Sequence, residues 1–240
     1  MFLNLKTCPP AFPFSFLLVF CFCLSASRVQ ADVGPPNTFS FSWNSGFQNG
    51  NVVPDASASG WGDTRTLSAL PGPILDVNVT LSLANGFNGD LYGYLMHDNV
   101  LVVLLNRIGV SSGNSFGFGN GGMTVTLDDA AAVDIHSVGS LTGPGISGTF
   151  QPDGRNISPL SSPALFDLAA RQNNGSPLAL LNGLDPSGDW TLYLADFSSG
   201  YQTTVTSWGL QLVVVPEPGT LSLLAVGGIL ALLRRRHLNR

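Results

Sequence analysis

The chain has 240 residues, a formal net charge of -5 and only 10% charged residues, with 28 glycines and 16 prolines. That length suits one folded domain and argues against a multidomain enzyme, while the glycine and proline content favours short strands joined by turns, because helix interiors tolerate neither residue. Between residues 32 and 215 the basic residues are Arg65, Arg107, Arg155 and Arg171 alone, and every acidic residue is an aspartate; a surface of that sign repels phosphate backbones, so nucleic acid is no partner.

Taken from the amino end, Lys6 supplies a positive start, residues 11–24 an apolar stretch, and Val29-Gln30-Ala31 a cleavage pattern before Asp32. Residues 1–31 therefore read as a secretory signal peptide. Cys21 and Cys23 follow the bulky Phe20 and Phe22, where a lipoprotein signal wants a small residue. All three cysteines (Cys8, Cys21, Cys23) lie in this segment, so the mature protein would carry no disulfide and no thiolate metal site.

Period-two alternation then dominates. Phe39, Phe41 and Trp43 alternate with serines, and Leu75, Val77, Val79, Leu81 and Leu83 alternate with Asp76, Asn78, Thr80 and Ser82, which predicts a strand with one face in a core. Residues 85–89 form a turn, 90–96 a second strand, 97–99 a tight turn and 100–105 a third strand, together a predicted meander. Residues 109–122 read as a long surface loop ending in a strand over 123–127, and 139–163 as irregular. Trp190, Leu192 and Leu194 mark a further strand, and Trp208, Leu210, Leu212 and Val214 the face of the last one, over 204–215. No segment shows a helical period, so the fold class is all-β, a jelly-roll β-sandwich.

Several elements recur in order: Asn88-Gly89-Asp90-Leu91, then Thr126-Leu127-Asp128-Asp129-Ala130-Ala131, then Gly188-Asp189-Trp190-Thr191-Leu192 running to Asp196, and finally Ser207-Trp208-Gly209-Leu210. Together they resemble the P domain (P/Homo B) of proprotein convertases, over roughly residues 38–214. Asp189 between Gly188 and Trp190, and Ala131 after the acidic pair, depart from that pattern. The resemblance implies a β jelly roll spanning 32–214 which, in convertases, packs beside a subtilisin-like catalytic domain absent here.

The carboxyl end carries Val215-Pro216-Glu217-Pro218, an apolar run over 221–233, and Arg234-Arg235-Arg236. The run reaches about 20 Å as a helix, short of the roughly 30 Å hydrocarbon core, but the arginine cluster holds its end on the cytoplasmic side and acts as a membrane stop. The order of motif, short transmembrane helix and basic cluster over 215–240 resembles the PEP-CTERM sorting signal, which an exosortase reads in Gram-negative bacteria that make extracellular polysaccharide. It implies export, membrane anchoring before processing, and delivery to the envelope, surface or extracellular matrix. The two prolines keep the motif extended, a form a protease can bind as a strand.

Catalytic chemistry is poorly supplied. His97 and His136 are expected as solvated loop histidines with no nucleophile setting, and two isolated histidines give no zinc spacing. Calcium is the best-supplied ion, because Asp90, Asp128, Asp129, Asp189 and Asp196 all fall at strand-to-loop junctions, where carboxylates and carbonyls can converge; the competing role is turn capping. Trp43, Trp190 and Trp208 lie in phase with apolar neighbours and belong to the core. Trp61, in a glycine-flanked turn, is expected to be exposed, and with Tyr92, Tyr94 and Tyr201 it is a candidate for stacking on extracellular polysaccharide. Three readings follow: a non-catalytic structural or binding protein of the surface, an accessory module for a separate subtilisin-like serine protease, and a calcium-dependent carbohydrate-binding module.

Overall fold

A computed structural model describes residues 34–138 and 145–216. The expected signal peptide, the Glu217-Pro218 half of the sorting motif, the apolar run and the arginine stop lie outside the described residues. Among the described residues there are nine strands, β1 (Asn37–Trp43), β2 (Ser57–Leu67), β3 (Ile74–Asn85), β4 (Leu91–His97), β5 (Val100–Asn106), β6 (Met123–Leu127), β7 (Ile146–Phe150), β8 (Gly188–Asp196) and β9 (Thr203–Val214), and one short α-helix, α1 (Pro163–Leu168). They form a five-stranded sheet in the order β1-β9-β3-β6-β7 and a four-stranded sheet in the order β2-β8-β4-β5. All pairs are antiparallel except β6 with β7.

The alternation that marks these strands is what builds the core. Val77, Val79, Leu81 and Leu83 of β3 and Leu210 and Leu212 of β9 belong to one cluster with Trp61, Leu95, Leu104, Trp190, Leu192 and Leu194 of the other sheet. Each fully buried large apolar side chain contributes roughly 1.5–3 kcal/mol. Trp190 and Trp208 are fully buried, as their phase predicts. Among the described residues no helix is long and apolar enough to cross a membrane.

Five expectations need correction. Leu75 is 45% exposed and Ile74 takes the core position, because a bulge between Ile74 and Asp76 shifts the register against β9 and turns the first residues of β3 over. The predicted meander is broken at its first turn: β3 lies in one sheet while β4 and β5 pair in the other. Asn85 and Gly86 adopt left-handed φ values of 61° and 66° there, and a Cβ on Gly86 would overlap the Thr203 side chain, so the chain crosses between sheets at a point only glycine fits. Residues 109–122 are not simply a surface loop, since Val110 is buried and Phe118 accepts the Gly89 N–H at 2.9 Å. The stretch read as irregular contains β7, whose Ser147, Gly148 and Thr149 are exposed on a sheet edge and give no apolar pattern. Residues 163–168 form a short helix opened by Pro163.

Candidate functional site

The five candidate aspartates are distributed over three places. Asp90 ends the short turn Asn88–Asp90, and Asp196 ends β8 directly opposite Leu91, so β4–β8 pairing brings these two together. Asp196 Oδ1 accepts from the Ser198 N–H at 3.2 Å, and nearby Asp55 accepts from the Gly200 N–H at 3.1 Å through both oxygens. Burial pushes the Asp196 carboxyl up to about 6, the Ser198 N–H opposes this, and Asp90 and Asp55 add to it. Asp90 is raised as well, by burial first, against a Ser198 hydrogen bond and Arg107. A cavity of about 470 Å³ opens beside this pair, lined by Phe87, Asp90, Phe116, Gly119, Ser198 and Ser199.

Asp128 and Asp129 lie at the other end of β6. Asp128 Oδ1 accepts from the Ala130 N–H at 2.7 Å, and Asp129 takes the N–H groups of Leu178 and Ala179 at 3.3 and 2.8 Å. Burial raises the Asp129 carboxyl, and those two N–H groups oppose it. Asp189, on β8, accepts from the Thr66 hydroxyl at 2.6 Å across the sheet. The five carboxylates are thus not gathered in one place; only Asp90 and Asp196 are brought together. Among the described residues no three His, Cys, Asp or Glu side chains are grouped to hold a metal ion, and at Asp128, Asp129 and Asp189 the oxygens are engaged in tying loops and strands together.

Both histidines are also corrected. His97 is 2% exposed and stacks on Trp190 with ring centroids 3.9 Å apart, its nitrogens 3.0 Å from Asp189 O and 2.7 Å from Asp185 O. His136 is also buried, with Nδ1 2.6 Å from Asp153 Oδ2 and Nε2 3.0 Å from Val110 O. Asp153, fully buried, also accepts from Arg155, which reaches Asp134 at 2.8 Å. Trp61 is 1% exposed, donates from Nε1 to Gly50 O at 2.8 Å and meets Phe47 edge-on, so its ring is unavailable for stacking on a ligand. In each case a polar or aromatic residue in a turn-like sequence is drawn inward by partners distant in the chain.

Tyr92, Tyr94 and Tyr193 remain half-exposed on the outer face of the four-stranded sheet. Tyr193 carries no sequence signal for this role, since its proximity to Tyr94 comes only from the β4–β8 register. Val215 of the sorting motif donates its N–H to Pro73 O at 3.0 Å, one residue beyond the end of β9.

Residues 214–236 match the family model of the PEP-CTERM protein-sorting motif. No curated protein matches the chain. Two solved structures are similar in part: the serine protease of Aeromonas sobria alone, at 15% identity and a TM-score of 0.43, and the same protease in complex with its chaperone, at 14% and 0.42. Each match covers 76% of this chain and 28% of the other, so the chain spans under a third of those proteins' length.

Proposed function

We propose that this is an exported, non-catalytic surface protein, sorted and processed by an exosortase through its tail, whose P-domain-like jelly roll serves a structural or binding role at the envelope or in the extracellular matrix. The observation that carries the reading is the match of residues 214–236 to the PEP-CTERM motif. Its position supports it: the match starts at the last residue of β9, so a cut within or beyond the prolines leaves every strand of both sheets in place. Membrane anchoring before processing rests on the apolar run and the three arginines that follow.

The test is membrane fractionation and mass measurement of the wild type beside Glu217→Ala in an exosortase-bearing host. The wild type is expected to lose the tail and leave the membrane, and the variant to keep its full tail and stay there. Identical masses and locations for the two would remove the sorting claim.

An accessory role toward a separate subtilisin-like protease is the second reading, favoured by the apolar side chains exposed around α1, Leu160 at 72%, Leu165 at 49% and Leu168 at 81%. Co-purification of such a protease with the wild type, lost in Leu168→Asp, would decide for it.

A further inference from the structure

The outer face of the four-stranded sheet should be polar, since only its inner face packs on the core. It is aromatic instead. Tyr92 and Tyr94 project from β4 on the side opposite buried Leu91 and Leu95, and Tyr193 of β8 is directly across from Tyr94. The Tyr94 and Tyr193 rings overlap at 4.7 Å and 18°, and Tyr92 meets Tyr94 at 6.1 Å and Phe197 at 6.3 Å. The arrangement is held in place. Gly60 lies beneath Tyr193, where a Cβ would come within 2.6 Å of the phenol Cζ and oxygen, and the Tyr193 hydroxyl donates to Ala58 O at 2.6 Å. The strip continues through Met96 and its β5 partner Leu101, 39% and 37% exposed.

Charge decides what such a strip can take. On the outward positions of β8, only Asp189 is ionisable by carboxylate, and it lies at the far end, bonded to Thr66. Beside the tyrosines the polar groups are hydroxyls, Thr64 and Thr191, joined at 2.8 Å, and the phenols themselves. The domain around the strip sets many aspartates against four arginines, so a polyanion is repelled from the whole surface, and a polycation meets one carboxylate already engaged. A neutral chain that offers C–H faces to the rings and hydroxyls to the rim suits both properties.

We propose that Tyr92, Tyr94 and Tyr193 form a platform for a neutral polysaccharide, its pyranose rings lying against the phenol faces. The assignment rests on the reading of the protein as a non-catalytic surface component and names the class of ligand for it. The binding energy comes from apolar C–H and ring contact with no ion required.

The test is affinity electrophoresis of the purified full chain in gels containing hydroxyethyl cellulose, dextran or alginate. Retardation by at least one of the two neutral polymers and none by alginate is expected. Tyr94→Ala should weaken the retardation about tenfold and Tyr94→Phe should keep it. Met96→Lys, which leaves all three rings in place, guards against a Tyr94→Ala variant that fails to fold and should also weaken retardation. Absence of retardation by both neutral polymers, retardation of folded Tyr94→Ala and of Met96→Lys undiminished from the wild type, or a concentration-dependent dimer of the wild type that Met96→Lys dissolves would each overturn the proposal; the last would assign the face to a second copy of the chain. If binding fails while Glu217→Ala still blocks processing, the ligand assignment falls and the sorting reading stands.

Discussion

In Asp196→Asn the buried carboxyl at the end of β8 becomes an amide of the same shape, whose oxygen can still accept from the Ser198 N–H. The wild-type carboxyl is held at about 6 rather than the ordinary 3.8 because it is enclosed and faces Asp90 and Asp55. A folded state that raises an acid binds the proton more tightly than the unfolded chain does, so folding carries the full penalty above about pH 6 and sheds it as pH falls from there toward 3.8. The size of the penalty is at most about 3 kcal/mol. Urea unfolding in metal-free buffer, stepped from about pH 7 to about pH 4.5, should therefore show the wild type gaining stability on acidification. Asp90, raised by burial in the same way, adds to that gain. Asp196→Asn should start about 2–3 kcal/mol more stable at neutral pH and lose most of the slope. A variant less stable than the wild type at neutral pH, or one with an unchanged slope, would refute the reasoning that burial outweighs the Ser198 N–H at this carboxyl.

Asp63→Ala should destabilise by about 3–5 kcal/mol, read by urea midpoint, because it strips a fully buried carboxylate from Trp208 Nε1 at 2.8 Å and leaves Arg65, bound at 2.7 Å, without its partner. His97→Phe keeps a flat ring against Trp190 but abandons the carbonyls of Asp185 and Asp189, and a loss of about 1–3 kcal/mol in thermal or urea melts is expected. Gly86→Ala puts a methyl group into Thr203 at a φ of 66°, and should lower stability by about 2 kcal/mol or more in the same assay.

Strands whose partners matter least to their identity were legible. β3, β6 and β9 declare themselves by alternation, because burial of one face imprints a period of two whatever lies across the core. What alternation does not contain is the identity of the neighbour. The turn after Asn85 looks like a hairpin, and only its left-handed backbone and the fit against Thr203 send β4 into the opposite sheet. Leu75 has the right phase in the sequence and the wrong face in the fold because one bulge inverts it. Trp61 and His97 were misplaced for a related reason: each lies among glycines or turn residues, and each is buried by groups elsewhere in the chain, Gly50 for one and Asp185 for the other. The aspartates were correctly located at junctions. Their convergence was not legible, since junctions at opposite ends of a sheet look alike in sequence, and Asp129 and Asp189 are taken up by loop and cross-strand hydrogen bonds.

The five-stranded sheet is completed by β9, the last strand among the described residues, which sits between β1 and β3. Synthesis runs from the amino end, so β1 and β3 are made long before the segment that joins them, and neither can satisfy its backbone along that side until residues 203–214 arrive. Long-range closure of this kind is slow and leaves open edges in the interval. A chain halted short of Val214 would therefore be a polymerisation hazard, and maturation of the body is tied in time to emergence of the tail.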